Sequence, residues 1–315
     1  MPNPDQHDNL AQTSAKAQTV WHDDEIGKVS TLSCRTVAAI RAVDAEDATV
    51  PYEEPLAAWL AGDDWLGRIR QIKQASDQYH KGLISDVSLR CIAIDAAVLD
   101  ACHGSAGIKQ VVLLGAGMDT RPYRLEIPDV AWFEVDVPAM SDLKQRLIEQ
   151  VPEPLRPFTL LRVGRLERLP LDLARSLDAL LPMLVARGFD ANAPALCVME
   201  GLVYYLSSDE NRQLFHKLPA APGSEALVTC IPAALKTMVN DPAVQEKMPH
   251  YRMIAPAWKT DLDTFRGTVG SRWAITQEVN LFDYAEHSGR ALARDRDIAL
   301  DHRDVAERYL VMNAT

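Results

Sequence analysis

The residues with the clearest chemical use are Gly115, Gly117 and Asp136. The glycines follow Val111-Val112-Leu113-Leu114, four apolar residues that suit a strand covered on both faces. Lacking side chains, they let the backbone turn sharply and lie close against a ligand. Trp132-Phe133-Glu134-Val135-Asp136 reads as a second strand that ends in a carboxylate. Asp136 falls about 20 residues past the turn, where a nucleotide-binding α/β fold places the acid that holds a ribose. Strand, glycine turn and acid together point to a nucleoside-containing ligand. A Gly-x-Gly standing alone also serves as an ordinary strand-to-helix turn, so the acid carries much of the weight. A dinucleotide fingerprint would add a third small residue, and here Thr120-Arg121-Pro122 occupies that region. Pro122 suits only a first helical turn. The pattern therefore favours a cofactor without a pyrophosphate.

These residues need a frame that brings them to one edge. Strands are expected at Val111–Leu114, Trp132–Asp136, Phe158–Val163, Leu196–Glu200 and Ala226–Ile231, with helices near Ala139–Gln150, Leu177–Arg187 and Ser208–Lys217. Ser207 or Ser208 can cap the last of these, and Asp209 and Glu210 suit its positive end. Such alternation implies an open parallel sheet with helices on both faces. Ligands in such sheets bind beyond the carboxyl ends of the strands. Gly115, Gly117, Asp136 and Glu200 all stand at those predicted ends.

The chain before the first strand reads as helical over residues 31–105. It includes a helix over 31–44, a turn into a short helix over 52–60, and a polar stretch over 62–82 that is irregular or helical. Leu89, Ile92, Ala96 and Leu99 recur at helical spacing and predict a helix over 87–102. Residues 1–25 are expected to be disordered. Residues 26–315 then form a single domain, in which the less regular stretch 232–270 is a candidate cap over a substrate site. A closing strand is expected over 307–313.

Composition narrows the function classes. Among 315 residues, 47% are hydrophobic and 24% charged, as in an ordinary globular protein. A formal net charge of −11 without a basic run disfavours nucleic acid and anionic membranes as partners. No apolar run approaches the roughly 20 residues a membrane span needs, and the polar N-terminus lacks a signal-peptide core. A cytoplasmic location is expected. The five cysteines, Cys34, Cys91, Cys102, Cys197 and Cys230, form no Cys-x-x-Cys pair and read as reduced buried thiols. The eight histidines form no His-x-x-x-His pair, so no metal site is expected.

Gly115-Ala116-Gly117-Met118-Asp119-Thr120-Arg121-Pro122-Tyr123-Arg124-Leu125 resembles the signature of the leucine carboxyl methyltransferase family, which includes bacterial O-methyltransferases of polyketide biosynthesis. Three further segments agree in order and spacing: Arg90-Cys91-Ile92-Ala93-Ile94-Asp95; Phe133-Glu134-Val135-Asp136-Val137-Pro138 with Lys144; and Glu200-Gly201-Leu202-Val203-Tyr204-Tyr205-Leu206. The resemblance runs over roughly residues 29–218. It implies a Rossmann-like class I methyltransferase sheet and S-adenosyl-L-methionine as cofactor. The reaction it implies is methyl transfer to a carboxylate or hydroxyl of a small molecule, polyketide-type metabolites being the family's suggestion. Gly115 and Gly117 would lie against the methionine part, Asp136 would take the ribose hydroxyls, and Glu200 would face the amino group or the sulfonium. Arg90 would reach the cofactor carboxylate and an acidic substrate through its planar fork, and Tyr205 would pack at the transfer centre or donate to the substrate. Where the family carries Asp-Leu for the adenine amino group, this chain has Arg165-Leu166, and an arginine cannot accept that hydrogen bond. Asp172-Leu173 is the substitute within reach. Cys91 stands where many relatives carry threonine. Arg35 sits where some relatives place a basic residue near the substrate, but is expected to be a solvated helix charge.

Two other readings compete. A nicotinamide-dependent oxidoreductase could use a similar sheet, although the third glycine and a Tyr-x-x-x-Lys pair are missing. A methyltransferase-like protein that binds without turnover is the non-enzymatic reading, and Arg165 is the residue that favours it. The sequence specifies neither the acceptor nor an oligomeric state.

Overall fold

In the computed structural model, residues 28–48, 50, 52–75, 83–104, 107–247, 255–292 and 302–315 are described. Seven strands form one sheet: β1 (Gln110–Leu114), β2 (Ile127–Asp136), β3 (Val163–Pro170), β4 (Leu196–Met199), β5 (Glu225–Cys230), β6 (Trp273–Asn280) and β7 (Arg308–Ala314). Their order across the sheet is β3-β2-β1-β4-β5-β7-β6. The first five run parallel. β7 runs antiparallel to both β5 and β6, so the sheet is mixed rather than wholly parallel. This order agrees with the class I methyltransferase sheet that the resemblance implies.

The central strand shows why its four apolar residues are needed. Val111 and Leu113 enter the core on one face, with Leu89, Ile94 and Val98 of the helix before it. Val112 and Leu114 enter the core on the other, with Phe133, Leu184 and Phe215. Alternation along a strand covered by helices on both faces requires apolar residues at every position.

Helices α1 (Lys28–Ala45), α2 (Ala57–Ala61), α3 (Asp63–Ala75) and α4 (Asp86–His103) precede β1. α4 starts at Ser85, whose side chain accepts from the Ser88 N–H. It leads straight into β1, so its N-terminal turns, with Arg90 and Cys91, reach the carboxyl edge of the sheet. A third apolar cluster joins Ala38, Ala39, Leu56, Trp59 and Leu60 to Met118, Tyr123 and Leu143. The N-terminal helices thus pack onto the β1 and β2 ends, where the glycine turn lies. Helix α5 (Pro138–Glu149) follows β2, and α6 (Leu180–Ala186) and α7 (Ser208–Lys217) follow β3 and β4. α7 carries a complete capping box between Ser207 and Glu210.

Two strand expectations need correction. The third strand was expected at residues 158–163, but Glu153–Thr159 is a 3-10 helix with Pro157 inside it, and β3 begins at Val163. β3 is an edge strand whose Arg165, Glu167 and Arg168 replace the apolar pattern of a central strand. β6, at the opposite edge, was not expected at all. It is exposed over most of its length and reads Trp-Ala-Ile-Thr-Gln-Glu-Val-Asn, with little apolar alternation. The stretch 232–270 holds helices Ala233–Val239, Pro242–Lys247 and Leu262–Arg266, and residues 248–254 within it lie outside the described residues. It folds back on the loop after β4: the Lys259 and Thr260 N–H groups both donate to the Tyr204 carbonyl, at 2.6 and 3.2 Å. The expectation for residues 1–25 also lies outside the described residues.

Candidate functional site

The turn after β1 uses both glycines. Gly115 has φ +71° and Gly117 φ +42°, backbone that L side chains rarely adopt. A Cβ on Gly115 would sit 3.2 Å from Leu202 Cδ1, and one on Gly117 would sit 2.8 Å from Cys34 Sγ of α1. The turn is therefore held between α1 and the loop after β4.

Asp136 closes the turn from the neighbouring strand. Its Oδ2 accepts the Gly117 N–H at 2.6 Å and its Oδ1 accepts the Val137 N–H at 2.7 Å. Burial raises its pKa above the ordinary carboxylate value, and those two N–H groups and Lys144 offset only part of the rise. Val137 caps α5, so the carboxylate also faces the positive end of a helix.

Glu200 flanks the turn from the other side, one residue beyond β4. Its Oε1 accepts from Arg90 Nε at 2.9 Å and from Cys91 Sγ at 3.3 Å. Its Oε2 accepts from Arg121 Nη2 at 2.6 Å. Burial alone would raise the Glu200 pKa, but Arg121 and then Arg90 outweigh it and hold the carboxyl far below its usual range. Arg90 is shared: its Nη1 donates to Glu307 Oε2, also at 2.9 Å. Its Nη2 faces Gly201, where an added Cβ would lie 3.7 Å away. Glu307 immediately precedes β7, and burial raises its pKa despite Arg90.

The structure thus brings Arg90, Gly115, Gly117, Asp136 and Glu200 to one edge. Tyr205 joins them through its hydroxyl, 3.1 Å from Ser33 Oγ on α1. Arg165 and Leu166 do not join. They pair with Ala131 and Trp132, whereas Pro170 at the strand's end pairs with Asp136. Arg165 instead donates to the carbonyls of Arg187 and Gly188 at 2.7 and 2.6 Å, capping α6, and lies 5.0 Å over the Phe133 ring. Asp172-Leu173 follows the end of this strand at Pro170, because the strand lies later in the sequence than expected. Arg35 also differs from expectation: it is buried, and its Nε donates to the Ala61 carbonyl at 3.0 Å.

Three residues were missed as parts of the site. Arg121 is wholly buried among Asp95, Asp119 and Glu200. Glu307 comes from beyond the quoted motifs. Tyr204 is buried with its hydroxyl beside Gly201. The alternation Asp119-Thr120-Arg121 was the available signal for Arg121; nothing local marked Glu307.

The five cysteines are free thiols, and burial pushes Cys34, Cys91 and Cys197 up to about 12. Among the described residues, no group of three His, Cys, Asp or Glu side chains is placed to hold a metal ion. No helix among them is long and apolar enough to cross a membrane.

The family profile described as leucine carboxyl methyltransferase matches residues 35–218. A relative from Mycobacterium avium (strain 104), provisionally named an S-adenosyl-L-methionine-dependent methyltransferase, is 30% identical over 230 residues, covering 68% of this chain and 71% of its own. A relative of the same name from Mycobacteroides abscessus is 30% identical over 275 residues, covering 81% and 85%. Among solved structures, a provisionally named methyltransferase from Thermobifida fusca aligns with a TM-score of 0.52 at 18% identity, covering 85% of this chain and 97% of its own. A DUF574 family protein from Streptomyces avermitilis aligns with a TM-score of 0.51 at 16% identity, covering 88% and 97%. At these identities the two structures speak to the fold.

Proposed function

The chain belongs to the leucine carboxyl methyltransferase family and is an S-adenosyl-L-methionine-dependent methyltransferase; we propose that it methylates an oxygen of a small molecule, a carboxylate or a hydroxyl. One observation carries the site assignment. Asp136 and Glu200 stand at the ends of the two strands that flank β1, with the glycine turn between them. Two acceptors on either side of a bare backbone turn suit a ligand with hydroxyls at one end and an ammonium at the other.

In this reading Asp136 accepts from the ribose hydroxyls, Glu200 receives the amino group, and Arg90 donates to the carboxylate. Asp172-Leu173 lies where the adenine amino group would be met. The bound cofactor supplies a methyl group activated on a sulfonium. The protein supplies position, and holding acceptor and methyl in line accounts for much of the rate in such displacements. Tyr205 and the segment around Lys259 and Thr260, whose N–H groups donate to the Tyr204 carbonyl, adjoin the same edge and would shape the acceptor site. A carboxylate acceptor needs no base, whereas a hydroxyl must lose its proton. Polyketide-type metabolites are the first class to screen, on family grounds.

The test is a screen with methyl-labelled S-adenosyl-L-methionine against paired carboxylic acids and hydroxy compounds. Label in a product that releases methanol in alkali identifies a carboxylate acceptor, and label in an alkali-stable ether identifies a hydroxyl. Label on nitrogen or carbon would contradict the oxygen assignment. Nicotinamide-dependent hydride transfer in place of methylation would favour the oxidoreductase.

A further inference from the structure

Arg121 lies in the 3-10 turn Arg121–Tyr123 that follows the glycine turn, and it is wholly buried. Each nitrogen of its guanidinium serves its own carboxylate. Nε donates to Asp95 Oδ1 at 2.6 Å, Nη1 donates to Asp119, and Nη2 donates to Glu200 Oε2 at 2.6 Å. The planar fork fixes these three directions together. Asp95 belongs to α4 and Asp119 to the turn itself, so Arg121 is anchored from behind. Its third nitrogen then dictates where Glu200 points.

The anchoring continues away from the site. Arg124 donates to Asp95 and lies 3.2 Å from Glu54, which Arg41 of α1 also holds at 3.0 Å. Arg41 in turn donates to the Met118 carbonyl at 2.6 Å. An unbroken alternation therefore runs from Glu307 through Arg90, Glu200, Arg121, Asp95 and Arg124 to Glu54 and Arg41. With Asp119 added, four arginines face five carboxylates.

We propose that Arg121 is a positioning residue: it sets the orientation of Glu200, so that Glu200 receives the amino group of the cofactor. Arg121 itself touches no ligand. This inference rests on the cofactor reading given above. Lysine at 121 would keep the charge but serve fewer than three separate carboxylates along the same directions. The loss would be confined to the amino-acid end of the cofactor.

The experiment compares two ligands by calorimetry. S-adenosylhomocysteine carries the amino-acid group; 5′-methylthioadenosine has the same base, ribose and sulfur without it. Arg121→Lys is expected to weaken S-adenosylhomocysteine at least tenfold while leaving 5′-methylthioadenosine within twofold. Glu200→Gln should show the same selectivity, and the double variant should lose little beyond Glu200→Gln alone, because one interaction is being removed twice. If Arg121→Lys does not fold, Asp95→Asn loosens the same guanidinium from behind, and the same selective loss is expected on a smaller scale. Equal losses for both ligands, or full retention of S-adenosylhomocysteine affinity, would overturn the positioning role. Wild-type protein that binds S-adenosylhomocysteine no better than 5′-methylthioadenosine would overturn the cofactor reading and the inference with it.

Discussion

Gly117 donates its backbone N–H to Asp136 Oδ2 across 2.6 Å, tying the turn after the central strand to the end of its neighbour. With the Val137 N–H on the other oxygen, the carboxylate is oriented by backbone alone. It has no rotamer search left to make when a ligand arrives. Glycine is what allows this, because the turn needs φ +42° and has Cys34 Sγ where a Cβ would sit.

Gly117→Ala should therefore lower both stability and affinity. Forcing a side chain into left-handed backbone costs about 1–2 kcal/mol, and the close approach to Cys34 adds to it. Urea denaturation should show a loss of at least that size, and S-adenosylhomocysteine should bind at least tenfold more weakly. Adding Cys34→Ala should recover the part due to contact but not the part due to φ. Wild-type stability in Gly117→Ala would show that the turn is not held as described.

Arg90→Lys is expected to be damaging rather than conservative. Arg90 serves Glu200 and Glu307 with different nitrogens, and an ammonium on a flexible stem cannot reproduce that fork. Cofactor affinity, turnover or both should fall, with the circular dichroism spectrum unchanged. Full binding and turnover in both Arg90→Lys and Arg90→Ala would make Arg90 purely structural.

Arg165 and Asp172 should separate cleanly. Arg165 lies at the start of β3 and caps α6, so Arg165→Ala should cost about 1 kcal/mol of stability and leave S-adenosylhomocysteine affinity unchanged. Asp172→Ala should weaken S-adenosylhomocysteine by more than it weakens S-inosylhomocysteine, which lacks the adenine amino group. Reversed behaviour of the two variants would return the adenine contact to Arg165-Leu166.

Acid should expose the arginine clamp on Glu200. Its folded pKa is depressed, by Arg121 and Arg90 against the opposing effect of burial, so its stabilisation is present above the unfolded carboxylate value near pH ~4.3 and is lost as pH falls below it. At pH 7, Glu200→Gln should cost about 1.5–3 kcal/mol, the range for hydrogen bonds to a charged group. The gap between wild type and variant should narrow steadily below pH ~4. A gap independent of pH would mean that Glu200 is not held ionised by the arginines.

The parts of this fold that were legible in the sequence are those whose physics is local. β1 declared itself by four apolar residues because it is covered on both faces, and Ser207 with Glu210 marked the start of α7 through capping alone. The Gly115, Gly117 and Asp136 set was legible because backbone geometry demands those residue types. The edge strands were not legible, since β3 and β6 bury too little to need an apolar pattern. Placing β3 too early set Arg165 at its expected end, whereas Arg165 lies within the strand and Asp172 follows it. Glu307 and Arg121 escaped for another reason: their role lies in partners distant in sequence, and Arg90 reaches Glu307 across 217 positions. Such charge partnerships become visible only after the strands are ordered.

The central claim is that the Gly115–Gly117 turn and Asp136 form the S-adenosyl-L-methionine site, and calorimetric titration of wild type and Asp136→Ala with S-adenosylhomocysteine and NAD tests it most directly. Paired hydrogen bonds from ribose hydroxyls to a charged group are worth about 1.5–3 kcal/mol. Wild type should bind one S-adenosylhomocysteine per chain and no NAD. Asp136→Ala should bind S-adenosylhomocysteine at least tenfold more weakly, with the circular dichroism spectrum unchanged and Tm lowered by the loss of the acceptor for the Gly117 and Val137 N–H groups. Unchanged affinity in Asp136→Ala, or NAD bound in preference to S-adenosylhomocysteine, would contradict the account.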